Sequence, residues 1–421
     1  MTRIFKFGGA LLKNKEGIER VASILEPHQN DHMVVVVSAI GKTTNALEQL
    51  VESKLSNDLL KIEDVFIQIR RNHFELAESV FGNARHGIYD TLNEIFTELN
   101  EVLKQDFPDR YFAYDQIVRY GELLSSAIIN AYLNDQGIKN ELVDAKNLVK
   151  TNSNYTSAKV DWNKTSEAIN AIVNPLHKEN KIVLTQGFIG SDDAGHCTTL
   201  GREGSDFTAA IIAHAINADE VTIWKNVPGL MNADPNRFED SIKLEKISYH
   251  EAIELAFYGA SVIHPKTIQP VQQKQIPLYV RSFYKPEEKP SLISQDTSED
   301  DQFQKIIVKD QQVLLSIGSR DLTFIAEENL TRIFEVFSKH KIHINLMQHS
   351  AVSFSVCFSE NTAKLNSLLE ELKKDFIIRY NQGLQLITIR FYTDEIIEKL
   401  TAGKKIFLEQ KSRTTVQLLV R

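Results

Sequence analysis

Apolar positions along this chain recur with two different periods. Short, nearly unbroken apolar runs stand at residues 3–7, 33–37, 181–184 and 221–224, and the segments between them place apolar residues every three or four positions. The runs predict strands, and an all-apolar one such as Met33-Val34-Val35-Val36-Val37 predicts a strand covered on both faces. The longer segments predict helices at about 16–25, 44–105, 114–134, 162–173, 205–217 and 250–258, with further strands at 141–143 and 277–280. Strands alternating with helices of this length predict an open, mostly parallel α/β sheet sandwiched by helices.

The pattern changes after residue 284. Residues 284–302 (YKPEEKPSLISQDTSEDDQ) are polar and proline-bearing, and predict an interdomain linker over 286–302. Beyond it, strands at 312–317, 342–347, 352–358 and 376–380 and helices at 329–340 and 362–373 follow the order βαββαβ, the ferredoxin-like α+β arrangement. A shortened echo follows as strand 384–391, helix 393–400 and strand 415–420. The expected organisation is a catalytic domain over 1–285, the linker, and a C-terminal region over 303–421. That region holds one full unit at about 306–381 and a shortened second at about 384–421.

Composition narrows the function classes. With 48 Lys and Arg against 56 Asp and Glu in 421 residues the net charge is −8, which argues against a duplex nucleic-acid binder. The apolar run at 33–37 is far shorter than the roughly 20 residues of a membrane helix. Lys6 interrupts the early apolar segment, so no signal peptide is expected. Two cysteines, Cys197 and Cys357, leave little scope for a disulfide framework. The expectation is a soluble, cytoplasmic protein with no nucleic-acid or membrane partner.

Three glycine-marked turns follow predicted strands, and such turns let backbone N–H groups approach a phosphate closely. The first is Lys6-Phe7-Gly8-Gly9. Its lysine suits phosphate neutralisation, and by itself fits an edge lysine before a plain turn equally well. The second runs over 38–45 and contains Gly41-Lys42-Thr43, but Val36 stands where a P-loop needs glycine, so a P-loop is rejected. Plain helix capping by Thr43 or Thr44 remains open there. The third joins Gly187-Phe188-Ile189-Gly190 to Thr198-Thr199-Leu200-Gly201-Arg202-Glu203-Gly204-Ser205-Asp206. Arg202 can clamp a carboxylate, while Ser205 or Asp206 could equally be only a helix cap. All three turns lie at the carboxyl ends of predicted strands, where open α/β sheets bind ligands. His340, His343 and His349 match no zinc spacing and read as structural, and Cys197 has no partner signal for a catalytic thiol.

Taken in order, these motifs resemble the aspartokinases of the amino-acid kinase superfamily. Residues 6–9 are similar to the family's KFGG, 38–45 to SAxxxxTN, 121–125 to GExLS and 198–206 to TTLGRGGSD. Residues 227–235 are similar to VPGxxxxDP, 247–252 to ISYxEA and 258–265 to FGAxVxHP, and the C-terminal region resembles ACT modules. The resemblance implies an amino-acid-kinase fold and phosphoryl transfer from ATP to the side-chain carboxylate of L-aspartate. A carboxyl of pKa about 4 is already ionised at neutral pH, so no general base is needed. Lys6 and Asp206 would be the catalytic pair, Lys6 neutralising charge on the transferring group and Asp206 orienting it. Gly8 and Gly9 would supply backbone donors. Glu122 would hold the α-ammonium and Arg202 the α-carboxylate, with Thr44, Ser38 and Ser205 around them. Lys225, Asn226, Met231, Asn236, Arg237, Ser261 and Val262 would face the nucleotide. Mg²⁺ would be held mainly by phosphates and water. Lysine or threonine would inhibit at the ACT-like region, and the enzyme would be a homodimer or larger.

The chain also departs from the family pattern. Lys225-Asn226 stands where many members have Thr-Asp, Asn236 where they have arginine and Ser261 where they have lysine; Glu203 replaces a glycine and Ala10 a threonine. Ala10, Glu203, Lys225 and Ser261 are similar to a branch of short, monofunctional aspartokinases, and the resemblance implies that these four mark the branch. Asn226 and Asn236 predict weakened ATP binding, with Lys225 and Arg237 supplying positive charge. The alternative reading is a catalytically weak paralogue that acts as an amino-acid-sensing regulatory subunit. A kinase for another small amino acid or for carbamate fits less well, because Glu122 and Arg202 suit both charges of an α-amino acid.

Overall fold

The computed structural model describes residues 1–260, 263–320 and 323–421, and these fall into two compact units. The first is built from 1–230, 243–253 and 263–297, and the second from 231–242, 254–260 and 298–421.

The strands up to residue 294 are β1 (Thr2–Phe7), β2 (His32–Val37), β3 (Asn140–Val143), β4 (Ile182–Gln186), β5 (Ile189–Ser191), β6 (Cys197–Thr199), β7 (Glu220–Lys225), β8 (Leu230–Met231), β9 (Lys243–Leu244), β10 (Lys246–Ser248), β11 (Leu278–Ser282) and β12 (Ser291–Ser294). Eight of them form one sheet in the order β10-β12-β11-β7-β1-β2-β4-β3. Every pairing in it is parallel except β11 with β12. β12 lies inside the segment expected as a linker. Its Ser291-Leu292-Ile293 pairs with β11, and Ile293 is fully buried, so the polar flanks hid a short strand that joins the sheet.

The helices from the same part of the chain are α1 (Lys15–Leu25), α2 (Thr43–Leu55), α3 (Leu59–Phe81), α4 (Ile88–Lys104), α5 (Arg110–Asp135), α6 (Ala145–Leu148), α7 (Trp162–Lys178), α8 (Gly204–Ile216), α9 (Tyr249–Tyr258) and α10 (Pro265–Gln273). The single helical stretch expected over 44–105 is therefore three helices. The breaks have local causes. Asp58 caps α3 through the Lys61 N–H, and Gly82 ends it at a φ of +61° while its N–H donates to the Glu78 carbonyl. Buried residues of α2 to α5 join β1, β2 and β4 in one apolar core. β2 is buried from Met33 to Val37, as an interior parallel strand must be.

In the second unit β13 (Lys305–Gly318), β14 (Ile344–Ser350), β15 (Ser353–Ser359), β16 (Ile377–Arg390), β17 (Ile406–Lys411) and β18 (Thr415–Val420) form an antiparallel sheet, order β14-β15-β13-β16-β18-β17. Helices α11 (Glu327–Lys339), α12 (Thr362–Leu372) and α13 (Asp394–Thr401) accompany it. The strands expected separately at 376–380 and 384–391 are one 14-residue strand, β16. Its first half pairs with Gln312–Gly318 and its second half with Lys305–Lys309, so β13 and β16 run through both ferredoxin-like halves. Among the described residues no helix is long and apolar enough to cross a membrane.

Candidate active site

Four neighbouring parallel strands, β7, β1, β2 and β4, end on the same side of the sheet, and the turns that follow them build one cleft of about 600 Å³. β1 delivers Lys6 and Gly9, β2 leads into Ser38, Gly41 and Thr44, β4 into Phe188, and β7 ends in Lys225. The loop after β6 and the start of α8 add Arg202, Glu203, Gly204, Ser205 and Asp206, and α5 adds Glu122. Backbone contact makes this closeness possible. A Cβ on Gly9 would sit 1.8 Å from the Ala39 carbonyl oxygen, and one on Gly187 would sit 2.4 Å from the Ser205 Cβ. Glycine is required at both positions.

Three charged groups of the cleft are paired with one another. Lys6 is not an edge lysine, because β1 lies between β2 and β7 and the residue is only 7% exposed. Its Nζ stands 2.6 Å from Asp206 Oδ1, and Lys225 Nζ donates to Asp206 Oδ2 at 2.9 Å. Burial alone would raise the Asp206 pKa, but the two ammonium groups outweigh it and hold the carboxyl below its ordinary value. Asp206 and Ser205 lie inside α8 rather than capping it, since the N-cap is Glu203 and makes no side-chain cap. Thr43 and Thr44 likewise do not cap α2; the Thr43 hydroxyl donates to the Ile40 carbonyl at 2.7 Å, and Thr44 faces the cleft.

Two further groups of the same cleft, Glu122 and Arg202, form no ion pair among the described residues. Glu122 is 4% exposed, and its Oε2 has no hydrogen-bond partner among the described residues. Burial pushes its pKa up to about 8, although the Ala39 backbone N–H and the Lys6 charge pull the other way. Arg202 is exposed in the same cleft and makes no ion pair among the described residues. A buried acceptor and an open guanidinium across one cleft can receive an ammonium and a carboxylate together.

Residues 1–282 match the amino acid kinase family along two thirds of the chain. The chain belongs to that family. This amino acid kinase is 28% identical to the lysine-sensitive aspartokinase 3 of Escherichia coli over 412 residues, covering 96% of this chain and 90% of that one. It is 28% identical to the chloroplastic aspartokinase 2 of Arabidopsis thaliana, covering 92% and 74%. Among solved structures it is similar to E. coli aspartokinase III in complex with lysine and aspartate, with a TM-score of 0.85 at 26% identity, covering 100% of this chain and 96% of that one. The complex of the same enzyme with aspartate and ADP gives a TM-score of 0.82, again at 26% identity with 100% and 96% covered.

The remaining expected residues of this amino acid kinase stand as follows. Gly8 adjoins Lys6, and a Cβ there would meet its Nζ at 3.5 Å; Ser38 lines the cleft, and its carbonyl accepts from the Ser125 hydroxyl at 2.6 Å. Asn226 is exposed directly after Lys225. Met231, Asn236 and Arg237 belong to the second unit. There the Asn236 carboxamide donates to Asp234 at 3.0 Å, and Arg237 is ion-paired with Asp234 and Asp310. Ser261 and Val262 lie outside the described residues. Cleft residues that sequence reasoning missed are Glu48, Tyr114 and Thr156. The Tyr114 hydroxyl donates to Glu48 at 2.9 Å. None of the three sits in a glycine-marked turn, so only the folded chain brings them in. The structural readings of the outlying groups agree with their contacts: His340 pairs with Glu371 at 3.0 Å, His349 meets the Ile325 carbonyl at 2.8 Å, and burial pushes the Cys197 thiol up to about 12.

Proposed function

We propose that this amino acid kinase is an aspartate kinase. The observation that carries the reading is the cleft's division into a paired lysine–aspartate–lysine cluster and an unpaired Glu122–Arg202 set. The first suits polyphosphate, and the second suits the α-ammonium and α-carboxylate of one amino acid. The similar proteins being aspartokinases over nearly the whole chain supports the same acceptor.

With its α-groups held at Glu122 and Arg202, the substrate's side-chain carboxylate points toward Lys6. A carboxylate oxygen attacks the γ-phosphorus of ATP in line, a new P–O bond forms, and the bond to the β,γ-bridging oxygen breaks. The products are 4-phospho-L-aspartate and ADP. The nucleophile is already ionised, so the protein supplies positioning and charge neutralisation rather than proton transfer. Lys6 stabilises charge on the equatorial oxygens, while Asp206 fixes the Lys6 and Lys225 ammonium groups in place before substrate arrives. Gly8 and Gly9 bring bare backbone beside them. Mg²⁺ would lie on the phosphate oxygens with water completing its shell, which suits a cleft whose innermost carboxylate, Asp206, is already engaged by two lysines. Lysine acting on the second unit is the regulatory expectation, by analogy with the lysine-bound E. coli enzyme.

ATP-dependent hydroxamate formation with Mg²⁺ and hydroxylamine tests the reading. Product with aspartate, and none with glutamate or N-acetylglutamate, is expected. No product with any acceptor would move the assignment to a regulatory paralogue.

A further inference from the structure

We infer that Asp115, assisted by Gln116, is a positioning residue that ties the ammonium-binding helix to the carboxylate-binding loop. The inference rests on the aspartate kinase reading and adds residues that do not themselves touch substrate.

Asp115 lies seven positions before Glu122 on α5, about two helical turns, so both side chains leave the same face. It is fully buried and accepts from two separate segments. The Thr199 N–H donates to Oδ2 at 2.8 Å and the Thr199 hydroxyl to Oδ1 at 2.7 Å. The Thr156 N–H is shared between the two oxygens at 3.1 and 3.0 Å. The neighbouring Gln116 holds Cys197 as a strand partner would: its amide donates to the Cys197 carbonyl at 2.8 Å and accepts from the Cys197 N–H at 3.3 Å. Two consecutive side chains of one helix therefore grip β6 at both ends.

Those grips lead directly to the cleft. Thr199 is three residues before Arg202. Thr156 lines the cleft, and its carbonyl lies so near Gly201 that a Cβ there would approach it to 3.2 Å. Thr156 also has a φ of +67°, a backbone state that a β-branched residue adopts only when its surroundings impose it. The Asp115 carboxylate receiving its N–H is the group that imposes it. Glu122 and the Arg202 loop come from segments about 80 residues apart in the chain, and the Asp115–Thr199 and Gln116–Cys197 bonds fix their separation. Both oxygens of Asp115 act only as acceptors for N–H donors and a hydroxyl, so an amide in its place would turn an N–H toward a donor.

The test compares the full-length protein with Asp115→Asn, Thr199→Val and the double variant, measuring aspartate KM, ATP KM and kcat together with amide exchange over residues 197–204. Asp115→Asn is expected to raise aspartate KM at least tenfold, with ATP KM within twofold, and to speed exchange in that segment. Thr199→Val, which keeps the charge and loses one bond, should raise aspartate KM by a smaller factor. The double variant should be no worse than Asp115→Asn alone, because both changes break the same link. Should Asp115→Asn not fold, Thr199→Val decides by the same split. Equal rises in both KM values, or an aspartate KM within twofold of the parent, would overturn the inference while leaving the kinase reading intact. A parent protein that makes no hydroxamate from aspartate would instead remove the reading itself and the inference with it.

Discussion

Two sets of charged groups in the cleft differ in how they are satisfied before any ligand binds. In the lysine set, Asp206 lies between Lys6 and Lys225 at 2.6 and 2.9 Å, so its buried charge is neutralised within the protein. In the receptor set Glu122 is buried with no partner for Oε2 among the described residues, and Arg202 stands open. An unpaired buried carboxylate is costly, and the protein meets that cost by holding the proton on Glu122 up to about pH 8. The comparison separates two uses of charge. A fixed cluster provides a preorganised field for a transition state, whereas an incomplete pair is a receptor that only the correct ligand completes.

The largest effect should come from breaking the fixed cluster. Lys6→Ala is expected to lower kcat by about two to three orders of magnitude, the scale of losing one preorganised donor. It should also raise the Asp206 pKa, since one of its two neutralising neighbours is gone. A loss of less than tenfold in steady-state turnover would mean that another group carries the transferring charge. Arg202→Ala breaks the receptor instead. Losing a bidentate, charge-assisted contact should raise aspartate KM by roughly a hundredfold and leave ATP KM near its starting value. An effect confined to ATP would contradict the division of the cleft.

A pH profile sharpens the comparison at Glu122. Its folded pKa is raised, so below about pH 8 Glu122 is mostly protonated in the free enzyme and must release a proton before it can pair with an ammonium. Aspartate KM should therefore rise as the pH falls, by about fivefold from pH 8 to pH 7 and steeply below that, with ATP KM indifferent. Glu122→Gln should bind aspartate weakly and lose this dependence. A flat profile in the unmodified protein would place the proton elsewhere.

How much of this was legible in the sequence follows from where each property is encoded. Lys6, the Arg202 turn and the run at Met33–Val37 are local signals, a charge or glycine at the end of an apolar run, and their places in the sheet follow from period and turn chemistry. Ser291–Ser294 was hidden because a four-residue strand flanked by Lys289-Pro290 and Asp296 has too few apolar positions to outweigh its surroundings. The continuity of Ile377–Arg390 was hidden because Asn381, Gln382 and Gly383 mimic a turn, while the strand crosses them as an irregularity between its pairings with β13 at Asn381 and Leu384. Asp115 and Thr156 carry no local mark at all. Their role exists only once α5 and β6 are side by side, 84 residues apart in the chain at the Asp115–Thr199 contact.

The smallest effect belongs to Glu203, where sequence and geometry disagree. It stands where the resembling family has glycine, and its backbone shows why: φ is +55° and ψ +27°, the left-handed region, at the N-cap of α8. A side chain there costs about 1–2 kcal/mol relative to ordinary helical geometry. Its Oε2 is also buried with no partner among the described residues, and it lines the cleft next in sequence to Arg202. Glu203→Gly removes the Cβ strain and the unpaired oxygen, and it gives back about 0.5–1 kcal/mol through the freer unfolded chain. The balance should be a gain of about 1 kcal/mol in urea unfolding, with an aspartate KM lowered by less than threefold as a competing negative charge leaves Arg202. A loss of stability would mean that the Glu203 carboxylate finds a partner in solution that outweighs its backbone strain. The receptor set would then already be partly satisfied by its own side chain, and the contrast with the lysine cluster would be one of degree.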